Sequence, residues 1–155
     1  MLKRDDIMRI LIAEDNLTNR RLMLKYLESL GKCDTVEDGE KAVESVRQSL
    51  EQGRPYELIC MDVMMPNMDG HEAVVEIRRL EQEMHLAEKD RVKVIMTTAV
   101  DSARSFKIAE TAGANGYLIK PVRKLQLYDE LEKLSLVTPD FITEQLVHYR
   151  AESSV

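Results

Sequence analysis

The chain has 155 residues, 44% hydrophobic and 32% charged, with a formal net charge of −6. That length suits one domain around a single core. The acid excess argues against nucleic acid as a direct partner, because neutralising phosphates needs clustered Lys and Arg. No apolar run nears the roughly 18 residues of a membrane span. Residues 1–6 lack a signal-peptide core, so a cytoplasmic protein that does not engage a membrane is expected.

In chain order, Arg9 to Ala13 predicts a first buried strand ending in Glu14-Asp15-Asn16. A helix from about Leu17 to Leu30 follows, with Leu17, Met23, Leu24, Leu27 and Leu30 at helical spacing and Gly31 as its stop. Lys32 to Val36 reads as a second strand. A second helix enters through Glu37-Asp38-Gly39, with Ala42, Val43, Val46 and Leu50 on one face. Leu58 to Met61 is a short apolar run ended by Asp62, the pattern of a fully buried parallel strand. After Asp69-Gly70 a third helix buries Ala73, Val74, Ile77 and Leu80, and Glu81 to Arg91 reads as a solvated helix end and loop.

Val92 to Met96 forms a fourth strand ending in Thr97-Thr98-Ala99, and a fourth helix spans about Ser102 to Ala112. Tyr117 to Ile119 is a fifth strand ending in Lys120-Pro121. A fifth helix runs from about Lys124 to Leu134, with Leu127, Leu131 and Leu134 inward. Thr138-Pro139-Asp140 opens a further helix to about Arg150, with Phe141, Ile142, Leu146 and Tyr149 on one face. Linker, packing addition and dimer element are all open roles for it. The organisation is an N-terminal segment (1–8), a main domain (9–135) and a C-terminal helical extension (138–155).

Five strands alternating with five helices predict an α/β fold, a doubly wound five-stranded parallel sheet of order 2-1-3-4-5 with an extra C-terminal helix. That order separates Cys33 and Cys60 by a strand, too far apart for a disulfide. It also brings Glu14 and Asp15, Asp62, Thr98 and Lys120 to one edge, at the carboxyl ends of the strands, where such sheets do their chemistry. Three carboxylates, a hydroxyl and an ammonium on one crevice are not a requirement of the core. His71, His85 and His148 are dispersed, without metal-ligand spacing.

Here the chain resembles the response-regulator receiver family of two-component signalling, in its stand-alone chemotaxis-regulator-like form. The matching motifs are Leu11-Ile12-Ala13-Glu14-Asp15-Asn16, Met61-Asp62-Val63-Met64-Met65-Pro66-Asn67-Met68-Asp69-Gly70, Met96-Thr97-Thr98-Ala99 and Gly116-Tyr117-Leu118-Ile119-Lys120-Pro121. The resemblance implies the flavodoxin-like receiver fold, with Asp62 as phosphoacceptor and Glu14, Asp15, Asp62 and the Met64 backbone carbonyl around Mg²⁺ or Mn²⁺. It implies that Thr98 bonds the phosphoryl group, that Lys120 pairs with it, that Tyr117 changes rotamer on activation and that Pro121 follows a cis peptide bond. With Mg²⁺ and Lys120 close, a low pKa is expected at Asp62.

The implied partners are a sensor histidine kinase and a downstream protein target or histidine phosphotransferase, reached through the surface of helix 4, strand 5 and helix 5. Homodimerisation on activation is open. Such a protein is not an enzyme beyond its own phosphorylation and dephosphorylation. Two departures stand out. Glu14 occupies a position where many receivers have Asp. Met64 and Val100, at the two positions that tune phosphoryl lifetime in the family, cannot orient water, so slow self-dephosphorylation is expected. A phosphohydrolase would need an acid at Met64, and a nucleotide or flavin carrier would need a Gly-rich loop after the first strand. A phosphorylation-deficient scaffold of the same fold is disfavoured by the intact set of Asp15, Asp62, Thr98 and Lys120.

Overall fold

The structure is a computed structural model that describes residues 7–153. Its five strands are β1 (Met8–Ala13), β2 (Gly31–Val36), β3 (Leu58–Asp62), β4 (Lys93–Thr98) and β5 (Gly116–Ile119). They form one parallel sheet in the order β2-β1-β3-β4-β5, as the alternation of elements predicts. Between them run α1 (Leu17–Leu27), α2 (Gly39–Glu51), α3 (Gly70–Glu83) and α4 (Ala103–Ala112). This compact unit ends at Lys120, and a second begins at Pro121.

The second unit holds α5 (Lys124–Lys133) and α6 (Pro139–Ser153). Within it, the Tyr128 and Phe141 rings meet edge-on with centroids 5.5 Å apart. The backbone of α6 extends past the expected Arg150. The proposed segment 1–8 lies largely outside the described residues, as do Ser154 and Val155 and the side chain of Tyr149.

Covered faces explain why the central strands read as unbroken apolar runs. Every residue of β3 is buried, and β1 is buried from Ile10 to Ala13. Leu11, Ala13, Ile59, Met61, Val94 and Met96 share one cluster with Ala42, Val43 and Val46 of α2, Ala73, Val74 and Ile77 of α3, and Ala109 of α4. The alternate strand residues, Ile10, Ile12, Leu58, Cys60 and Ile95, point to the opposite face and are equally buried.

The helices following β1, β2, β3 and β4 each start on a side-chain cap. Asn16, Asp38, Asp69 and Ser102 accept the backbone N–H groups of Asn19, Lys41, Glu72 and Ser105. Such caps satisfy amides that the first helical turn leaves without partners. They also gather polar residues at the carboxyl edge of the sheet.

Four sequence expectations change. Helix α1 stops at Leu27, and Gly31 is not its stop but the first residue of β2, paired with Met8. A Cβ on Gly31 would collide with the Met8 carbonyl, so close strand approach is what demands glycine there. Leu17 does not join the buried face of α1. It is 49% exposed because it opens the helix at the sheet edge.

The fourth change is Glu81, read from sequence as solvated but in fact buried. Its carboxylate accepts hydrogen bonds from Arg78 Nη1 at 2.6 Å and from the Val92 N–H at 2.7 Å. A buried carboxylate is tolerated when it is paired and hydrogen-bonded in this way. Cys33 and Cys60 lie in β2 and β3 with β1 between them, and both are free. Burial is the main force raising their thiols, to about 11 and about 12 respectively, so neither is a thiolate at neutral pH.

Candidate functional site

The carboxyl edge of the sheet brings Glu14, Asp62, Thr98 and Lys120 together. The tips are fixed by hydrogen bonds that continue the ladder past the strands. Glu14 N–H donates to the Val36 carbonyl at 3.0 Å, Val63 N–H to Thr97 at 3.0 Å, and Lys120 N–H to Thr98 at 2.7 Å. Glu14, Asp62 and Thr98 are all buried, whereas Asp15 is exposed.

Lys120 is the hub. Its Nζ lies 3.0 Å from Glu14 Oε2 and 3.1 Å from Asp62 Oδ1, bridging two carboxylates. The other Glu14 oxygen, Oε1, accepts the Asn16 N–H at 3.2 Å. Asp62 Oδ1 also accepts the Met64 N–H at 3.3 Å. Pairing of Lys120 with Glu14 was not legible in the sequence.

The low pKa expected at Asp62 belongs to the site with Mg²⁺ close; without a metal the charge balance runs the other way. Burial pushes its carboxyl up, Glu14 pushes it further, and the opposing pull of Lys120 and the Met64 N–H is the smaller effect. The result is a pKa raised to about 6. For Lys120, burial works against the charge, but the hydrogen bonds to Glu14 and Asp62 overcome it and its pKa is raised.

One ammonium therefore faces a surplus of carboxylates. Ligand oxygens of Glu14, Asp15 and Asp62 lie within 4.8 Å of one another, a donor set of the kind hard divalent cations take. The raised pKa of Asp62 is the electrostatic sign that this cluster accommodates further positive charge.

Thr98 Oγ1 accepts the Val100 N–H at 3.2 Å, and the Val100 carbonyl accepts the Tyr117 hydroxyl at 3.1 Å. Phe106 of α4 packs on the Tyr117 ring, with centroids 4.0 Å apart. Neither Phe106 nor the linking role of the Val100 backbone carried a sequence signal. Met64 is 71% and Val100 52% exposed, so neither fills the core.

The family model for the response regulator receiver domain matches residues 10–132. Histidine protein kinase 1 of Candida albicans is 32% identical over 130 residues, which cover 82% of this chain and 5% of that protein. The chain spans only 5–12% of the curated relatives it matches. Among solved structures, the receiver domain of the histidine kinase CKI1 from Arabidopsis thaliana, complexed with Mg²⁺, is 28% identical. Its TM-score is 0.71, with 82% of this chain and 91% of that one covered.

The receiver domain of Saccharomyces cerevisiae Ssk1, solved with the histidine phosphotransfer signaling protein Ypd1, is also 28% identical. Its TM-score is 0.68, with coverage of 79% and 84%. The fold, the order of motifs and these matches lead to one assignment: the chain belongs to the response regulator receiver family of two-component and phosphorelay signalling.

Proposed function

We propose that this receiver takes a phosphoryl group from a phosphohistidine onto Asp62 and answers by changing a protein-binding surface. The observation that carries the reading is the placement of Asp62. It is buried at the tip of β3, 3.1 Å from the Lys120 ammonium, beside the acidic pair Glu14 and Asp15. With Oδ1 held by Lys120 and Met64, Oδ2 attacks phosphorus. The phosphorus–nitrogen bond of the donor breaks, and its electron pair returns to the imidazole.

Phosphoryl transfer asks for positioning and charge neutralisation rather than covalent help from the protein. Lys120 supplies a fixed positive charge beside the transferred oxygens, and Thr98 a hydroxyl. Glu14, Asp15, Asp62 and the Met64 carbonyl would hold Mg²⁺, or Mn²⁺ in its place, which when bound offsets the repulsion between nucleophile and donor. The donor is a sensor histidine kinase or a histidine phosphotransfer protein. The likeness to the Ssk1 receiver, solved with Ypd1, supports a place in a relay.

The switch runs through Val100. A phosphoryl group adds charge and strong acceptor oxygens. Thr98 turns toward it and releases the Val100 N–H, and Tyr117 loses its fixed partner and turns inward. The exposed surface of α4 and β5, including Phe106, then changes as a population shift between two states.

The test is incubation with acetyl phosphate and Mg²⁺ followed by intact-mass measurement. One added phosphoryl group on the wild type, absent from Asp62→Asn and absent without the metal, is the expected result. An unmodified wild type would leave a phosphorylation-deficient scaffold.

A further inference from the structure

The loop after Asp62 is tied to a helix more than twenty residues away in sequence, and the tie is a buried carboxylate. Asp38, the cap of α2, is buried. Its Oδ1 accepts the Lys41 N–H at 2.8 Å, an ordinary capping bond. Its Oδ2 is spent differently and accepts Asn67 Nδ2 at 3.1 Å.

Asn67 lies within the loop between β3 and α3 and holds a left-handed backbone, φ 68°. That conformation is uncommon outside glycine, and Asn is among the residues that tolerate it. The next residue repeats the tie through the backbone, since the Met68 carbonyl accepts the Gly39 N–H at 3.1 Å. A Cβ on Gly39 would collide with that carbonyl, so the approach of loop to helix is as close as the chain permits. At the other end, the Gly70 N–H donates to the Val63 carbonyl at 2.8 Å. Between these anchors sits Met64, whose N–H reaches Asp62 Oδ1.

We propose that Asp38 and Asn67 act as a positioning clamp, in which the buried Asp38 carboxylate grips the Asn67 amide and so fixes the loop that presents the Met64 peptide to Asp62 and to the cation. Neither residue touches the reacting atoms. Capping of α2 needs only one Asp38 oxygen, and the second oxygen serves the loop. The proposal rests on the reading of Glu14, Asp15, Asp62 and the Met64 carbonyl as a divalent-cation site.

The chemistry of the pair allows a test by exchange. Asn67→Asp sets its carboxylate against the Asp38 carboxylate, acceptor against acceptor, which no side-chain flip relieves. Adding Asp38→Asn keeps an oxygen for the Lys41 cap and restores a donor on residue 38 opposite the acceptor on residue 67, with the same total charge as the wild type. Asn67→Gly removes the amide, leaves the cap intact and accepts the left-handed backbone.

Mg²⁺ affinity of the full chain is measured by titration calorimetry, with thermal unfolding recorded for every variant. Asn67→Asp and Asn67→Gly are expected to bind Mg²⁺ about tenfold more weakly, a magnitude typical of lost support around a metal site. The double exchange should return to within about threefold of wild type. Asn67→Gly should unfold as cooperatively as wild type, which separates positioning from loss of fold. Unchanged affinity in Asn67→Gly, or a double exchange no better than Asn67→Asp, would overturn the clamp. Absence of Mg²⁺ binding by the wild type would instead overturn the cation-site reading beneath it.

Discussion

Thr98 and Tyr117 grip opposite sides of one residue. The Val100 N–H donates to the Thr98 hydroxyl and the Val100 carbonyl accepts the Tyr117 hydroxyl, at 3.2 and 3.1 Å. A change at the buried hydroxyl therefore reaches the aromatic residue through one length of backbone. Thr98→Val removes the acceptor while keeping the shape of the side chain. The Val100 amide should then exchange with solvent about tenfold faster, and the ring resonances of Tyr117 and Phe106 should shift. Unmoved ring signals would mean that Thr98 and Tyr117 act independently. Tyr117→Phe, which removes one partly exposed hydrogen bond, should cost less than about 1 kcal/mol of stability.

Asp62 makes the metal-free fold sensitive to pH. Its carboxyl is raised from 3.8 to about 6 on folding. Below the lower value both states are protonated and the group contributes nothing. As pH climbs through this window the unfolded chain loses its proton while the folded chain keeps it, so stability falls. Above about 6 the penalty is complete. Asp62→Asn should thus be more stable than wild type at pH 7.5 without metal, by up to about 3 kcal/mol, and melt at a higher temperature. The two curves should converge below pH 4. Melting curves across that range, with chelator present, check the sign.

Replacing the hub has the opposite sign. Lys120→Met leaves Glu14 and Asp62 facing each other with no counter-charge, and both side chains are only 4% exposed. Breaking a buried ion pair from one side strands charge in a poor solvent, so a loss of about 2–4 kcal/mol is expected at neutral pH. Acid should relieve it, because the repulsion ends once Asp62 binds a proton. Denaturant titrations at pH 7.5 and 5 would show the gap narrowing.

The two positions flanking the phosphoacceptor site predict a long-lived aspartyl phosphate. Met64 and Val100 have no group that could orient or deprotonate an attacking water. Met64→Asn supplies one, and should shorten the lifetime of the acyl phosphate about tenfold. Decay followed by mass after removal of acetyl phosphate gives both rates. A wild-type half-life of seconds would count against the expectation.

At the opposite end of the sheet, Glu81 predicts a stability effect separate from the chemistry. It holds Arg78, whose guanidinium also donates to the Val92 and Gly113 carbonyls and to Asn115 Oδ1 at 2.8–3.0 Å. Glu81→Leu should destabilise the fold by about 3 kcal/mol, because the half-buried Arg78 loses its counter-charge and the buried Val92 N–H its acceptor. The yield of phosphorylated Asp62 at saturating acetyl phosphate should stay at the wild-type level in the cold. A loss of yield at full folding would place Arg78 in the signalling path.

The sequence by itself determined whatever depends on near neighbours along the chain. Apolar runs of strand length, helical spacing and capping residues such as Asp38, Asp69 and Ser102 act within a few positions, and they gave the five-stranded order and brought Asp62, Thr98 and Lys120 to one edge. Only the tertiary structure decided how charge is shared there. Lys120 reaches Glu14 across 106 positions of sequence. Without a metal, burial and the nearby Glu14 raise the Asp62 carboxyl. Gly31 and Glu81 follow the same division. One looked like a helix stop and the other like a solvated acid, until a neighbouring strand and the Arg78 guanidinium came within contact distance. Desolvation and ion pairing depend on which groups fold back onto a residue, and no local pattern carries that information.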